Sequence, residues 1–598
     1  KMIIPALSYD RFNLSLEKGY DPQYTRNTLQ LNNGNGTFSE IAFLSGVSST
    51  DWSWSALWAD YDNDGDKDMM VTNGFYRDLG NLDYINYQAR LQNPMGTRDA
   101  KKEQKLKAIN DLPKIPLQNY IFENNGSLQF EKKSDEWGLT EKGFSNGACY
   151  ADLDNDGDLE LIINEFNGEA KLYRNKGNEL HKNNYLKVQL HGDSKNVQGI
   201  GSSVWLYTDS LTQVVEFNPY RGFESTVEPL IHFGAGNIAR ADSLVVVWPD
   251  GKRSVKKDIP LNQKIDIEYK DAHTGLIVSD SIVRNETLFT RLPDSPGFNF
   301  IHHENEYVDF KMQPLLPAMH SQNGPGIAVG DINGDGLEDF YAGAASGSDG
   351  NYFLQQPNGS FTKKVLPKTV ACEDMGVLLF DADNDQDLDL YVVSGGSEHL
   401  DNTPEQQDRL YLNDGSGNFT YRGDLLPDTR ASGSCVVAAD YDKDGDMDVF
   451  VGGRVVPGSY PYSPQSYLLK NNNGKFSDVS AQELPLKGKV GMVSSALWTD
   501  YDNDGYVDLM LAGEFMPITI VKNNSGRLKN DSAIELPGSG GWWSSLAAAD
   551  FDNDGDIDYI AGNLGLNSRF KATPEKPICI YAKDFDKNGR IDPVLCYY

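Results

Sequence analysis

Histidine and cysteine are both scarce, eight and five residues in a chain of 598. Neither a C-x-x-C nor an H-E-x-x-H spacing occurs, so zinc chemistry has no sequence basis. Cys149, Cys372, Cys435, Cys579 and Cys596 lie beside apolar or aromatic residues and read as small buried hydrophobes, not as a disulfide framework. Positive charge is also in deficit. Lys and Arg number 54 against 87 Asp and Glu, a net charge of −33, which excludes nucleic acid because phosphate contacts need clustered cations. No run of 18 apolar residues offers a membrane-spanning helix, and no secretory signal is visible. The opening "KMIIPALSYD" and the close on "DPVLCYY", directly after an acidic motif, are those expected of a piece of a longer protein.

What is present is aromatic, glycine-rich and locally acidic. With 30 Tyr, 26 Phe, 9 Trp and 57 Gly, the chain has ample material for packed cores and tight turns. Its short apolar runs have strand length. The acidic residues are phased: D-x-[DN]-x-[DN]-G-x-x-[DE] begins at residues 60, 152, 331, 381, 440, 500, 550 and 584, with Gln386 as the only departure from glycine at position 6. A solvated charge run would not keep that phase.

Oxygen-bearing residues alternating around a glycine turn suit a hard cation, with side-chain oxygens from positions 1, 3, 5 and 9 and a backbone carbonyl from position 7. Ligation by oxygen alone favours Ca²⁺ or Mg²⁺ over zinc or copper, and the many carboxylates favour Ca²⁺. The candidate ligands of the first half are Asp60, Asp62, Asp64, Asp66 and Asp68, then Asp152, Asp154, Asp156, Asp158 and Glu160. After a gap come Asp331, Asn333, Asp335, Leu337 and Asp339; Asp381, Asp383, Asp385, Asp387 and Asp389; and Asp440, Asp442, Asp444, Asp446 and Asp448. The last three sets are Asp500, Asp502, Asp504, Tyr506 and Asp508; Asp550, Asp552, Asp554, Asp556 and Asp558; and Asp584, Asp586, Asn588, Arg590 and Asp592. Up to eight Ca²⁺ ions would offset about half the net charge. An EF-hand is excluded, since position 12 is Val71, Ile163, Ala342, Val392, Val451, Leu511, Ala561 or Leu595, never the acidic residue that loop requires. The flanks "SALWA", "MMVTN", "CVVAA" and "VFVGG" are strand-like, so each acidic loop is expected to be the turn of a β-hairpin.

A second repeat interleaves with the first: "TLQLNNGNGTFSEI" (28), "YIFENNGSLQFEKK" (120), "YFLQQPNGSFTKK" (352), "LYLNDGSGNFTYR" (410) and "YLLKNNNGKFSDV" (467). Each reads as strand, Asn/Gly turn and strand with an inward Phe. One acidic hairpin plus one Asn-Gly hairpin makes a four-stranded unit. The acidic motifs of the second half recur 50, 59, 60, 50 and 34 residues apart. Units of this size that cannot bury both faces alone read as propeller blades stacked radially, with a solenoid of hairpins as the alternative.

These hairpins resemble the FG-GAP/VCBS repeats of integrin-type β-propellers, which place calcium in a hairpin loop. Between the two arrays, "YLKVQL", "SVWLY" and "LVVVW" alternate like half-buried strands, and "GIGSS" lacks the Lys-Ser/Thr of a phosphate loop. Gly199-Ile200-Gly201, Arg221-Gly222-Phe223, His232-Phe233-Gly234 and Trp248-Pro249-Asp250-Gly251 resemble the ASPIC/UnbV pattern. Together they look like Bacteroidota surface proteins built as propeller, ASPIC/UnbV module and propeller. The resemblance implies an all-β chain of two β-propellers with four-stranded blades, the first one partial. Expected domains are residues 1–180, 181–272 and 285–598, the last incomplete at its C-terminus. Export to the outer-membrane surface, by a lipid anchor on an N-terminus outside this chain, is also implied.

Residues 80–118 break the blade rhythm. "LDYINYQARLQ" and "RDAKKEQKLKAINDL" have helical spacing, the latter with Lys101, Lys102, Lys105 and Lys107, so a helical insertion is expected there. "IHHENEYVDF" groups His302, His303, Glu304 and Asp309, read as a structural network. "WSW" (52–54) and "GGWW" (540–543) precede inner strands and are expected in a core or channel; "VVPGSYPYSP" is expected as a surface recognition loop. No G-x-S-x-G elbow occurs. The leading expectation is therefore a non-catalytic, calcium-stabilised scaffold on a bacterial surface, holding partner proteins or polymeric nutrients beside a TonB-dependent complex. The alternatives are a calcium-dependent polysaccharide lyase or hydrolase and a cell-surface adhesin.

Overall fold

The computed structural model describes residues 9–22, 24–78, 84, 98–209, 211–274, 288–289, 297–367, 371 and 373–597. The chain is predominantly β, 39% strand and 8% helix, and divides into two compact units, Lys1–Thr287 and Leu288–Tyr598. Among the described residues no sheet closes on itself.

Sheet order repeats as the two interleaved hairpins dictate. Ser53–Ala59, Asp68–Asn73, Tyr120–Asn124 and Phe130–Lys132 form one antiparallel four-stranded sheet in chain order. The second unit holds three more, starting at Ile327–Gly330, Glu373–Phe380 and Ser432–Ala439. A further set, Met492–Thr499, Asp508–Met516, Thr519–Asn523 and Leu528–Glu535, pairs in the same order and is joined at the end of its second strand by Gly541–Ala549. In every case the acidic loop joins the first two strands. Buried pairs such as Tyr391 against Leu410 and Phe450 against Leu468 fill the middle of each sheet. The second strands, "LYVVSG" and "VFVGG" among them, are buried along almost their whole length, so their apolar runs fill both faces of the sheet.

Three expected units, those of the loops at 152, 550 and 584, fall short of four strands among the described residues. Ser145–Ala151, Glu160–Glu165 and Lys171–Tyr173 form a three-stranded sheet; the chain then turns into the short helix Gly177–Leu180 instead of a fourth strand. The loops at 550 and 584 sit on the two-stranded pairings Gly541–Ala549 with Asp558–Asn563 and Cys579–Lys583 with Asp592–Cys596. In the first Asn-Gly hairpin, Gln30–Asn32 with Phe38–Glu40, Phe38 is exposed, not inward.

Between the arrays lies a sandwich of two sheets. One pairs Tyr185–His191 antiparallel with Ile231–Gly234 and parallel with Gln263–Glu268. The other runs Thr212–Glu216, Ser203–Tyr207, Arg240–Val247 and Arg253–Pro260. Leu186, Val188, Val204, Leu206, Phe233, Leu244, Val246 and Trp248 close its core, and Trp248 Nε1 donates to Ser254 Oγ at 2.9 Å. At Gly199, with φ of +70°, an added Cβ would lie 2.8 Å from the Trp248 ring, so the "GIG" glycines serve packing.

The insertion contains the helix Arg98–Asn110, on which Lys102, Lys105 and Lys107 are exposed; the expected helix over 82–92 lies almost wholly outside the described residues. "SYPYSP" is corrected: Tyr460 is fully buried against Leu316, Val455 and Met492, and only Tyr462 is half-exposed. Gln313, 147 residues away, accepts from Tyr460 N and donates to Tyr460 O, and Tyr460 Oη donates to Glu514. Cysteine is corrected in part. Cys149 and Cys435 are partly buried, but Cys579 and Cys596 are exposed and face each other in register; Cys372 lies outside the described residues. Trp54 packs tilted against Phe223 at 4.6 Å and Trp542 stacks on Phe570 at 5.8 Å, so both tryptophan pairs are partly packed.

Candidate metal centres

Each acidic loop is held by its own carboxylates before any cation is considered. Position 1 accepts the amides of positions 5 and 6: Asp60 takes Asp64 N at 3.1 Å and Gly65 N at 2.9 Å, and Asp331, Asp381, Asp440, Asp500, Asp550 and Asp584 repeat the pair. Position 5 accepts the amide of position 7, as Asp64 does from Asp66 N and Asp504 from Tyr506 N. Position 4 is left-handed throughout, at Asn63, Asn155, Gly334, Asn384, Lys443, Asn503, Asn553 and Lys587. Asn and Gly tolerate that region best, a turn signal unread in the sequence. Position 6 is also left-handed, so Gln386 carries, at φ of +72°, strain that glycine escapes elsewhere.

Position 9 clamps the loop to the sheet. One oxygen accepts the amide of position 2 in seven loops, from Tyr61 N to Asp68 at 3.0 Å through Phe585 N to Asp592 at 3.0 Å. The other accepts an amide at the end of the third strand, from Asn124, Asn175, Gln355, Asn413, Asn471 and Asn523.

Four of those asparagines make a contact that sequence reasoning missed. Asn413 Nδ2 donates to Leu388 O in its own loop and, at 2.7 Å, to Ile332 O in the loop of the preceding sheet. Asn471 does the same to Met447 O and Ala382 O, Asn523 to Val507 O and Tyr441 O, and Asn175 to Leu159 O and Tyr61 O. One asparagine amide thus staples the loop at 60 to that at 152, 331 to 381, 381 to 440 and 440 to 500. For Asn413 and Asn471 the sequence signal was the Asn opening an Asn-Gly turn, read there only as turn chemistry; Asn175 and Asn523 lie outside the repeats quoted above.

Do the residues fit a cation? In at least five loops three carboxylate oxygens lie within 4.8 Å of one another: Asp60, Asp62 and Asp68; Asp152, Asp154 and Glu160; Asp381, Asp383 and Asp385; Asp440, Asp442 and Asp448; Asp500, Asp502 and Asp504. Buried oxygens with no hydrogen-bond partner occur at Asp152 Oδ1, Asp383 Oδ1, Asp387 Oδ1, Asp448 Oδ2 and Asp502 Oδ1. An orphaned buried carboxylate oxygen is costly, and a divalent ion is the partner that would relieve it. Burial, then the neighbouring carboxylates, pushes Asp60 up to about 7, Asp68 to about 8, Asp389 to about 7 and Asp448 to about 7. The donor set fits Ca²⁺.

Protein cations also reach some loops. Lys470 pairs with Asp442 and lies 3.4 Å from Asp444, and Lys522 pairs with Asp502 and lies 4.0 Å from Asp504. Arg174 lies 3.5 Å from Asp154. All three occupy the position just before a stapling asparagine, where the loop at 381 has Leu412 and the loop at 60 has Glu123. In the first unit the sandwich covers both loops. Lys187 Nζ reaches Asp152 at 2.6 Å with both side chains buried, Asn183 donates to Asp62 O, and His232 bonds Asn63 at 2.6 Å. Burial holds that imidazole neutral, its pKa pushed down to about 3.

The His302–Asp309 group does not converge. His302 pairs with Glu304 at 2.7 Å, His303 is exposed, and Asp309 is buried separately under the hydroxyls of Ser321 and Ser397.

Residues 192–274 match the family described as ASPIC and UnbV, and residues 19–71, 331–392, 381–451 and 500–561 match the FG-GAP-like repeat. The chain carries FG-GAP-like repeats and an ASPIC and UnbV domain. Human cartilage acidic protein 1 is 26% identical over 269 residues, covering 41% of this chain and 40% of its own; the mouse protein of that name is 26% identical over 219 residues, covering 35% and 32%. The chain thus spans 32–40% of the length of these relatives. Among solved structures, the V. cholerae biofilm matrix protein Bap1 superposes at a TM-score of 0.23 with 17% identity, over 40% of this chain and 34% of that one. No helix of the described residues is long and apolar enough to cross a membrane.

Proposed function

We propose that this chain is a non-catalytic, calcium-stabilised binding scaffold working outside the cell, on a surface or in a matrix. One observation carries the reading: the same acidic loop recurs, held open by its own backbone amides and leaving buried carboxylate oxygens for a cation. The acidic clusters are thereby committed to architecture, and a carboxylate held by a metal makes a poor proton donor at neutral pH. The succession of stapled four-stranded sheets supports two propellers, over 1–180 and 285–598, flanking the ASPIC and UnbV domain at 181–272. Relatives named for cartilage and acidity support an extracellular setting. On a bacterium, the partner would be a surface protein or polymer beside an outer-membrane uptake complex.

The test is capture by the immobilised full chain of glycans and envelope proteins, in excess calcium and in chelator. The expected result is a partner held in calcium and released by chelator, with no turnover. Turnover of a glycan, abolished by one carboxylate change outside the eight loops, would overturn the proposal in favour of an enzyme.

A further inference from the structure

The hairpin of the loop at 584 sets two cysteines face to face. Cys579–Lys583 pairs antiparallel with Asp592–Cys596, and the register puts Cys579 directly opposite Cys596. Opposed residues of such a pair send their side chains to one face, with Cα atoms about 4.5–5.5 Å apart. That separation lies inside the roughly 4.4–6.8 Å that a disulfide spans. Both thiols are exposed.

Sister hairpins show how closely the two places approach. Counted from the first aspartate of its loop, the pair Cys435 and Gly452 on the loop at 440 holds the same two places and is likewise in register. A Cβ added at Gly452 would lie 2.7 Å from Cys435 Sγ. In a disulfide, the Cβ of one half and the sulfur of the other are about 3 Å apart, as an S–S bond flanked by a C–S bond requires. On the loop at 550 the same places are Ser545 and Gly562, and a Cβ added at Gly562 would meet Ser545 Oγ. Glycine at the second place avoids the clash in both sisters. Of the eight loops, that at 584 is the one with cysteine at both places, where a covalent bond turns the same closeness into a link. The hairpin also needs support, because it is a two-stranded sheet among the described residues, and such a hairpin is marginal by itself.

We infer that Cys579 and Cys596 form a disulfide that locks the open end of this hairpin. The bond forms by exchange with a small-molecule disulfide. The Cys579 thiolate attacks one sulfur of that oxidant and expels the other as a thiolate. The Cys596 thiolate then attacks Cys579 Sγ in the mixed disulfide and expels the second thiolate. The two cysteines lose two protons and two electrons, and the oxidant leaves as two thiols. Burial pushes the Cys435 thiol up to about 11, so it stays protonated at neutral pH and does not compete. Oxidising surroundings outside a cell preserve such bonds. The inference itself rests on the register and the sister hairpins, not on the scaffold or metal reading.

The full chain, equilibrated with oxidised and reduced glutathione at several ratios, trapped with a maleimide and digested without reductant, tests it by mass spectrometry. The expected result is a peptide pair joining Cys579 to Cys596, with both thiols lost to maleimide at the same glutathione ratio. Amide exchange over residues 580–595 should slow by roughly a hundredfold against the reduced chain, the loop-closure value for a ring of about this length. The double variant Cys579→Ser, Cys596→Ser should exchange like the reduced chain in either buffer. Separate glutathione adducts on the two cysteines, a bridge from either to any other cysteine or to a second copy, or exchange unchanged by oxidation would each overturn the inference.

Discussion

Replacing Asn471 by Ala removes one buried amide group that ties two acidic loops together. Asn471 is 1% exposed and donates to Ala382 O at 2.8 Å and Met447 O at 3.1 Å, while its Oδ1 accepts Gly474 N at 2.9 Å. A neutral hydrogen bond contributes about 1 kcal/mol net, and a buried group left unpaired costs about 1–3 kcal/mol. Partial relaxation around the loss brings the expected cost to about 2–4 kcal/mol. For a unit of this size that lowers Tm by roughly 3–6 °C. Asn472→Ala, at the exposed neighbouring position, is the control and should stay within about 0.5 kcal/mol of the parent. Calorimetry at fixed free calcium reads both, and hydrogen exchange at residues 381–386 and 444–447 shows whether the loops loosen together. Equal stability of the two variants, or loosening of only one loop, would refute the stapling of successive loops.

In chelator, stability should fall as pH rises. Asp60, Asp68, Asp389 and Asp448 have raised pKa values in the folded state, so their contribution is complete below the ordinary carboxylate range near 4 and is lost as pH rises through about 7 to 8. Excess calcium, which needs these groups ionised, should reverse the slope, and Tm against pH under both conditions checks the sign. Lys470→Gln should tighten calcium at the loop at 440 by up to roughly thirtyfold, the worth of one unit charge about 4 Å from a divalent ion in solvent, measured by titration calorimetry; unchanged affinity would mean the ammonium already swings clear. Asp66→Asn should bind calcium like the parent, because position 7 offers its carbonyl, whereas Asp64→Asn should weaken the first loop and loosen its link to Asn183 and His232.

Much of this was legible in the residues themselves. Short apolar runs of strand length such as "SALWA" and "VFVGG", with the Asn-Gly turns between others, gave the hairpins, because strand-length apolar runs and left-handed turn positions are local properties. Position 9 as a clamp followed less directly, since its second amide comes from a strand 15 to 56 residues away. What could not be read depends on a neighbour. Asn471 looks like any turn asparagine until Ala382 O lies beside it. Lys187 sits in an apolar strand and is buried because Asp152 meets it from another domain. Tyr460 lies in a stretch rich in Pro and Tyr that resembles a surface loop, and Gln313 draws it into the core by pairing its backbone. The missing fourth strand after Tyr173 has a sequence correlate, the absence of a phenylalanine after Asn175, which acquires meaning only beside Phe419 and Phe476, each packed in a core cluster just before its fourth strand.

The most direct measurement is anomalous diffraction from crystals of the full chain grown in excess calcium. The expected map shows peaks between the carboxylates of positions 1, 3 and 5, near the carbonyl of position 7, with Lys470 and Lys522 displaced from Asp442 and Asp502. Loops without anomalous density at saturating calcium, their carboxylates neutralised by those lysines alone, would contradict the claim that divalent cations hold the hairpin turns.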